Sequence, residues 1–147
     1  MEIISPTMLP VILNKLRKRL DKANSDLLKD YDLSKLHLLY LMVLFENKEG
    51  MTLNELSNYL DFDKANTSRA ISQLISKEYV HKMEHGVLEL KYRVALTPKG
   101  INAAALIWDH NQRANFELIQ LFTPEELMSL SQIADKLWNL LSAEKSD

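Results

Sequence analysis

The sequence contains no cysteine, and this absence removes several kinds of chemistry at once. Disulfide bonds, cysteine-ligated zinc and cysteine nucleophiles are excluded. A switch that depends on thiol oxidation is excluded with them. Any signal to which the protein responds must therefore act through groups other than thiols.

Long apolar runs are also lacking. The longest, residues 38–45, is far shorter than the ~20 residues that a membrane-spanning helix needs. The N-terminus has neither the basic start nor the apolar stretch and cleavage site of a signal peptide. We therefore expect a cytoplasmic protein with no membrane partner.

Glycine is scarce, with three residues in the chain, and the motifs of common enzymes are missing. The sequence has no glycine loop that could cradle a phosphate, no His-Glu-x-x-His and no Gly-x-Ser-x-Gly. Its four histidines lack the spacing of metal ligands. We therefore expect no catalytic residues, no metal site and no cofactor, and we do not expect an enzyme.

What the sequence does contain is a globular composition, with 46% hydrophobic and 26% charged residues over 147 positions. This length suits a single domain, residues 1–147.

Threonine before proline, or three residues before glutamate, marks helix starts because its hydroxyl caps free backbone N–H groups. With the three- and four-residue spacing of apolar side chains, these signals predict six helices, over residues 7–29, 34–47, 52–60, 64–77, 98–122 and 124–142.

An extended segment, residues 79–97, separates the fourth and fifth predicted helices. Apolar residues alternate with polar ones near its end, which is typical of a half-buried strand. His85-Gly86 predicts a tight turn, so we expect a β-hairpin. The predicted cross-strand pairs are Met83 with Leu88, Lys82 with Glu89, and Tyr79 with Tyr92.

The order of these elements is that of a helix-turn-helix unit followed by a wing. Two short helices, residues 52–60 and 64–77, are joined by three residues, and the hairpin follows. In such a unit the second helix enters the major groove of DNA, with its N-terminal residues on the base edges. The predicted fold class is therefore mostly α with a small β-hairpin wing.

The helix at residues 64–77 has two different faces. One face is predicted to pack inward and consists of Thr67, Ala70, Ile71 and Leu74. The other is small and polar, and no acidic residue lies between Lys64 and Lys77. Residues 64–99 hold seven basic and three acidic residues, although the net charge of the chain is −2. A basic face on an acidic body favours phosphate binding, and an ordinary solvated helix is the alternative.

The polar face supplies the side chains that we predict to contact DNA. Arg69 can pair bidentately with guanine, and Asn66 or Gln73 can pair with adenine. The predicted phosphate contacts are Lys64, Ser68 and Ser72.

Two segments, MTLNELSNYLDFDKANTSRAISQLISKEYVHK and YRVALTPKG, resemble the winged-helix core of MarR-type (multiple antibiotic resistance regulator) transcriptional regulators. The order of six helices and a wing matches that family over nearly the whole chain. Three short motifs carry the likeness. They are Leu33-Ser34 with His37, where the family often has Leu-Thr and Gln, Ser68-Arg69 at a frequent Ser/Thr-Arg pair, and Leu96-Thr97 with Gly100 on a Leu-Thr-x-x-Gly signature.

The resemblance implies a homodimer that binds double-stranded DNA at a pseudo-palindromic operator. It implies a winged helix-turn-helix DNA-binding lobe at about residues 34–97 and a dimerisation lobe at about residues 7–30 and 98–142. The first, fifth and sixth helices hold more apolar surface than a small winged domain covers, although a three-helix core within one chain is the alternative. The predicted function is a sequence-specific transcriptional regulator, a ligand-responsive dimeric repressor.

The resemblance also implies a small-molecule effector between the two lobes. The side chains that could line its pocket are Tyr31, His37, Tyr40 and Trp108. Plain core packing of these side chains is the alternative interpretation.

The wing departs from the family pattern. An acid-x-arginine pair usually lies near the tip, and here Leu88 and Leu90 occupy those positions. Lys91 and Arg93 are the predicted substitutes for DNA contact. The apolar tip also supports a second hypothesis, a winged-helix interaction module, either an antirepressor or an adaptor, with weak or no DNA binding.

Overall fold

The computed structural model describes residues 5–83 and 92–144. The helices and strands found there are α1 (Met8–Asp30), α2 (Lys35–Glu46), β1 (Met51–Thr52), α3 (Leu53–Leu60), α4 (Lys64–Ser76), β2 (Val80–Lys82), β3 (Arg93–Leu96), α5 (Pro98–Gln120) and α6 (Pro124–Ala143). The six predicted helices and the mostly α fold class are confirmed. Within the described ranges, no helix has the length and apolar character that crossing a membrane requires.

The chain divides into two compact units. Met1–Asn111 forms the first, with α1 to α4, the strands and the first half of α5, and Gln112–Asp147 forms the second. No residue of α6 is buried. Its large apolar side chains, such as Leu130 and Leu137, are each 52% exposed.

α2, α3, α4 and α6 begin where the sequence predicts because side-chain oxygens of their N-cap residues accept from the first free backbone N–H groups. The Thr52 hydroxyl accepts from Glu55 N–H, and the Glu55 carboxylate accepts from Thr52 N–H. Thr123 and Glu126 repeat this arrangement at α6. Asp63 caps α4 by accepting from Asn66 N–H at 2.6 Å. Each cap supplies an acceptor for N–H groups that the helix itself leaves unpaired.

α2 lies at the centre of the first unit, as its nearly continuous apolar sequence predicts. Its buried residues are His37, Leu38, Tyr40, Leu41, Val43 and Leu44. They pack with buried side chains from α3, α4, the strands and α5, among them Leu56, Ile71, Val94 and Ile107. This core fixes the position of α4 relative to α2.

The predicted register of the hairpin is wrong. β2 pairs with β3 so that Val80 lies opposite Leu96, His81 opposite Ala95 and Lys82 opposite Val94. Lys82 therefore does not pair with Glu89, nor Tyr79 with Tyr92. Both faces of β3 are buried, at Val94, Ala95 and Leu96, so the alternation of apolar and polar residues does not determine its register. Pairing with strands on both sides determines it instead. The predicted turn at His85-Gly86 and the pair of Met83 with Leu88 involve residues outside the described ranges.

A third strand also constrains β3, and the sequence did not predict it. β1 pairs with β3 on the side away from β2, giving the strand order β1-β3-β2, with Met51 opposite Val94 and Thr52 opposite Arg93. β1 has only two residues, which is too short for any alternation to be visible. Gly50, with φ +80°, turns the chain into it.

The turn between α3 and α4 is tight because one residue adopts a left-handed conformation. Asp61 has φ 59° and ends α3. Phe62 N–H donates to the Ser57 carbonyl, and the buried Ser57 hydroxyl donates to the Phe62 carbonyl at 2.6 Å. These bonds fix the angle at which α4 leaves α3.

Candidate nucleic-acid interface

α4 is anchored through the inward face that the sequence predicts. Thr67, Ala70, Ile71 and Leu74 are all buried. Leu74 is 0% and Ile71 1% exposed. The helix therefore cannot rotate about its axis without exposing apolar surface, and its opposite face points outward in a fixed orientation.

A buried hydrogen bond also joins α4 to α2. The Tyr40 and Thr67 hydroxyl oxygens lie 2.9 Å apart, and both residues are 0% exposed. The ring of Tyr40 contacts Phe62 in the turn before α4, with 6.0 Å between ring centroids. Burial raises the pKa of Tyr40, because the charged phenolate would lose its hydration. The phenol remains neutral and able to share a proton with Thr67.

We expect a double-mutant cycle to detect this bond. Thr67→Val leaves the Tyr40 hydroxyl buried without a partner and should cost about 1–3 kcal/mol. Tyr40→Phe should cost less, because the Thr67 hydroxyl can turn to a carbonyl in its own helix. Urea denaturation measures each variant, and the double variant should lose less than the two single losses together. Strictly additive losses would show that the two hydroxyls do not interact.

The outward face of α4 carries the predicted DNA-contacting side chains, and all six predicted from this helix are exposed. They are Lys64, Asn66, Ser68, Arg69, Ser72 and Gln73. Small residues such as Ser68 and Ser72 leave room for a close approach of the helix to a groove. The prediction that these residues contact DNA remains a prediction.

Three of the exposed side chains at the start of α4 form a chain of hydrogen bonds. The second carboxylate oxygen of Asp63 accepts from Asn66 Nδ2 at 2.8 Å. Asn66 Oδ1 in turn accepts from Arg69 Nη2 at 2.6 Å. The cap residue therefore orients Asn66, and Asn66 orients the Arg69 guanidinium. From residue type alone Asn66 is predicted to read a base independently. The spacing of three residues between Asp63 and Asn66 was the available signal for the role of Asp63.

His37 and Gln73 connect the start of α2 to the last turns of α4. The Gln73 side-chain oxygen lies 2.7 Å from His37 Nε2. His37 Nδ1 accepts from Ser34 N–H, and the Ser34 hydroxyl accepts from His37 N–H. A histidine thus fills the capping-box position at which glutamate or glutamine is usual. Nothing in the local sequence indicates that His37 contacts α4.

Arg93 lies at the base of the wing, and much of its hydrogen-bonding capacity is used within the protein. Its guanidinium donates to the Gly50 carbonyl at 2.8 Å and lies 3.4 Å from both carboxylate oxygens of Glu55. These contacts join β3 to the start of α3. Lys91, Leu88 and Leu90, on which the predictions about the wing tip depend, lie outside the described residues.

A second link ties the end of α4 to the turn after α1. Lys77 Nζ donates to the Asp32 carboxylate at 2.8 Å and also to the Asp32 carbonyl. The hydrogen bond and the positive charge of Lys77 hold the pKa of Asp32 below its ordinary value, although the carboxylate faces solvent. These bonds hold the C-terminal end of α4 against the turn that follows α1.

The four predicted pocket residues occupy different environments. Tyr40 and His37 are in the core bonds described above, Tyr31 accepts from the Tyr79 hydroxyl through its carbonyl, and Trp108 lies over Phe45 with 6.3 Å between ring centroids. Phe45 also lines a cavity of about 220 Å³ in the first unit, together with Leu44, Lys48, Leu96 and Ile101. The assignment of Tyr31, His37, Tyr40 and Trp108 to a ligand pocket stays a prediction.

Known DNA-binding proteins resemble this chain in sequence. Residues 33–100 match a family model described as a winged helix DNA-binding domain. The chain is 27% identical over 114 residues to the HTH-type transcriptional regulator BilQ of Clostridioides difficile (strain CD3), covering 74% of this chain and 76% of that protein.

Solved structures share the fold over almost the whole chain. A protein assigned to the MarR family of transcriptional regulators from Listeria monocytogenes, complexed with 26mer DNA, has a TM-score of 0.82 and 24% identity, covering 98% of this chain and 92% of that chain. A MarR protein from Peptoclostridium difficile has a TM-score of 0.80 and 27% identity, covering 98% and 93%. These similarities point to transcriptional regulators rather than to enzymes. Residues 33–100 are therefore similar to a winged helix DNA-binding domain, and the chain shares the fold of transcriptional regulators of the MarR family.

Proposed function

We propose that the protein acts as a homodimer that reads a pseudo-palindromic operator through α4 of each protomer. The observation that carries this proposal is the outward face of α4, which is exposed, basic at Lys64 and Arg69, and free of acidic side chains between them. The rigid attachment of the opposite face supports it. Two such helices, related by the two-fold axis of a dimer, would enter successive major grooves about 34–36 Å apart.

Arg69 is the side chain best placed to specify a base. Asn66 holds one of its terminal nitrogens and so limits the orientations that the guanidinium can take. A pre-oriented guanidinium loses less entropy when it pairs with guanine O6 and N7. Lys64, Ser68 and Ser72 would contact phosphates on either side.

Exposed apolar side chains support the dimer. α1 exposes Leu9, Leu13 and Leu16 at 48%, 57% and 39%, and α6 exposes Leu140 and Leu141 at 57% each. Rows of exposed apolar side chains on each of these helices, taken separately, are of the kind that marks interaction sites. A second copy of the chain would cover them and would set the distance between the two α4 helices.

We propose in addition that a small-molecule effector binds in the cavity of the first unit. The cavity in the first unit has mostly apolar walls and one ammonium group, Lys48, so it suits a small apolar anion. It lies between the end of α2, β3 and the start of α5. An effector bound there would press on the core that supports α4.

Anisotropy titration at two salt concentrations tests DNA binding, using the duplex upstream of the protein's own gene and an unrelated duplex. Arg69→Ala should weaken specific binding by roughly 1–3 kcal/mol. Ser76→Ala, an exposed change at the far end of the same helix, should leave it unchanged. Affinity should fall steeply with salt, because phosphate contacts release counterions.

The same titration discriminates the second hypothesis, an interaction module that does not bind DNA. Equal and weak binding to both duplexes, with almost no dependence on salt, would contradict the proposal that the protein is a sequence-specific DNA-binding regulator. A random-duplex selection would then decide whether any operator exists.

A further inference from the structure

The two ring nitrogens of His37 make different hydrogen bonds, and one of them fixes where the proton lies. Nδ1 is 3.1 Å from the backbone nitrogen of Ser34, which can only donate. Nδ1 must therefore accept, and in a neutral imidazole the proton is then on Nε2. The capping of α2 thus determines the tautomer of a side chain that is 6% exposed.

The tautomer of His37 determines the orientation of the Gln73 amide. His37 Nε2 lies 2.7 Å from the Gln73 side chain, and an N–H group at that distance requires an acceptor. Gln73 must therefore present its oxygen to His37. The oxygen and nitrogen of an amide lie on opposite arms of one planar group, so the amino group of this exposed residue is on the arm away from His37.

This orientation changes what Gln73 can read in a major groove. The bidentate contact with adenine, which the sequence suggests, needs the amide oxygen to accept from adenine N6. That oxygen already accepts from His37 Nε2–H, which leaves it a single lone pair for any further donor. Guanine offers two adjacent acceptors, O6 and N7, whereas adenine offers only N7 beside a donor. An amino group that points outward is therefore matched to guanine.

We infer that His37 is a positioning residue for base recognition, which holds Gln73 as a hydrogen-bond donor so that it reads the O6 and N7 edge of guanine. The inference rests on the proposed function and deepens it by naming the base that one side chain of α4 selects. It also gives the buried imidazole a role that an apolar residue of similar size could not fill.

Selection from a random-duplex library with the full chain tests the contact. Comparison of wild type with Gln73→Ala identifies the base position that Gln73 reads, since preference should be lost there alone. We expect wild type to favour guanine over adenine at that position by roughly ten-fold or more. Gln73→Glu keeps an oxygen for His37 Nε2–H but lacks the amino group, so it should reject guanine and favour cytosine, which donates through N4.

Two further variants separate positioning from stability. His37→Glu keeps an acceptor for Ser34 N–H, as in an ordinary capping box, but cannot donate to Gln73. We expect the guanine preference to fall to within about two-fold of adenine. Ser34→Ala removes the hydroxyl bond to His37 N–H and keeps the backbone N–H that fixes the tautomer. It should lower the Tm and retain the guanine preference.

The imidazole nitrogen shifts of His37, measured by NMR on the protein without DNA, provide an independent readout. Protonated Nε2 and unprotonated Nδ1, with an Nε2–H shift that moves in Gln73→Ala, would support the inference. A protonated Nδ1 would overturn it, as would adenine at the Gln73 position, an unchanged motif in Gln73→Ala, or a His37→Glu motif equal to that of wild type. A wild type that selects no motif would overturn the proposed function itself, which distinguishes the two failures.

Discussion

Gly100→Ala will destabilise the protein by roughly 3 kcal/mol or more, because the added methyl group has no space. A Cβ atom at Gly100 would lie 2.0 Å from the Tyr79 carbonyl oxygen and 3.0 Å from its carbon. That carbonyl is fixed by accepting from Thr97 N–H at 3.0 Å. The start of α5 would have to move away from the end of α4, or the bond would break.

A loss of stability in Gly100→Ala would identify its own cause, because helix propensity alone predicts a gain. Alanine is favoured over glycine within helices by up to about 1 kcal/mol, so any loss of stability must come from the close contact with Tyr79. Asn102→Ala, an exposed change in the same first turns of α5, is the matched control and should lie within about 0.5 kcal/mol of wild type. Thermal and urea unfolding measure both. A Gly100→Ala protein as stable as wild type would show that α5 is not held against Tyr79.

Leu74→Ala will cost about 2–5 kcal/mol, because it opens a cavity beneath α4. Leu74 is 0% exposed and packs within the core that joins α4 to α2. The loss of three carbon atoms removes both their transfer free energy and the contacts of the surrounding side chains. Urea denaturation should show a lower midpoint with an unchanged slope.

The matched control is Ser72→Ala, two residues away on the outward face, which should change stability by no more than about 0.5 kcal/mol. Its effect should fall on DNA binding if Ser72 contacts phosphate. A Leu74→Ala loss below about 1 kcal/mol would mean that the core beneath α4 collapses to fill the space, and that α4 is less firmly fixed than its burial indicates.

The helix ends could be predicted from the sequence because their causes are local. Asp63 and Thr123 each act on N–H groups within three residues, so their signals are complete in a short window. The inward face of α4 was predictable for the same reason, since Thr67 and Leu74 repeat with the period of a single helix.

The features that could not be predicted depend on partners that are distant in the chain. The register of β3 follows from pairing with β1, about forty residues earlier in the chain, rather than from the nearest turn. The contact between His37 and Gln73 joins positions 36 residues apart. No local pattern distinguishes a histidine that caps one helix from one that also orients another.

The exposed polar side chains of α4 were predictable as a set, but their hydrogen-bonding state was not. Residue type alone makes Asn66 and Gln73 adenine readers, since a free amide offers one donor and one acceptor. In the folded protein one arm of each amide is already bonded to a neighbour, Arg69 or His37. These hydrogen bonds within the protein decide which donors and acceptors of Asn66 and Gln73 remain available to a nucleic acid.

The contacts of Arg93 have a mechanical consequence for the whole DNA-binding unit. The Glu55 carboxylate accepts from Thr52 N–H at the start of α3 and also lies against the Arg93 guanidinium, which projects from β3. The Gly50 carbonyl accepts from the same guanidinium. These contacts join β3, at the base of the wing, directly to the start of α3. A displacement of β3 would therefore act on α3, and through the tight turn at Asp61 it would reach α4.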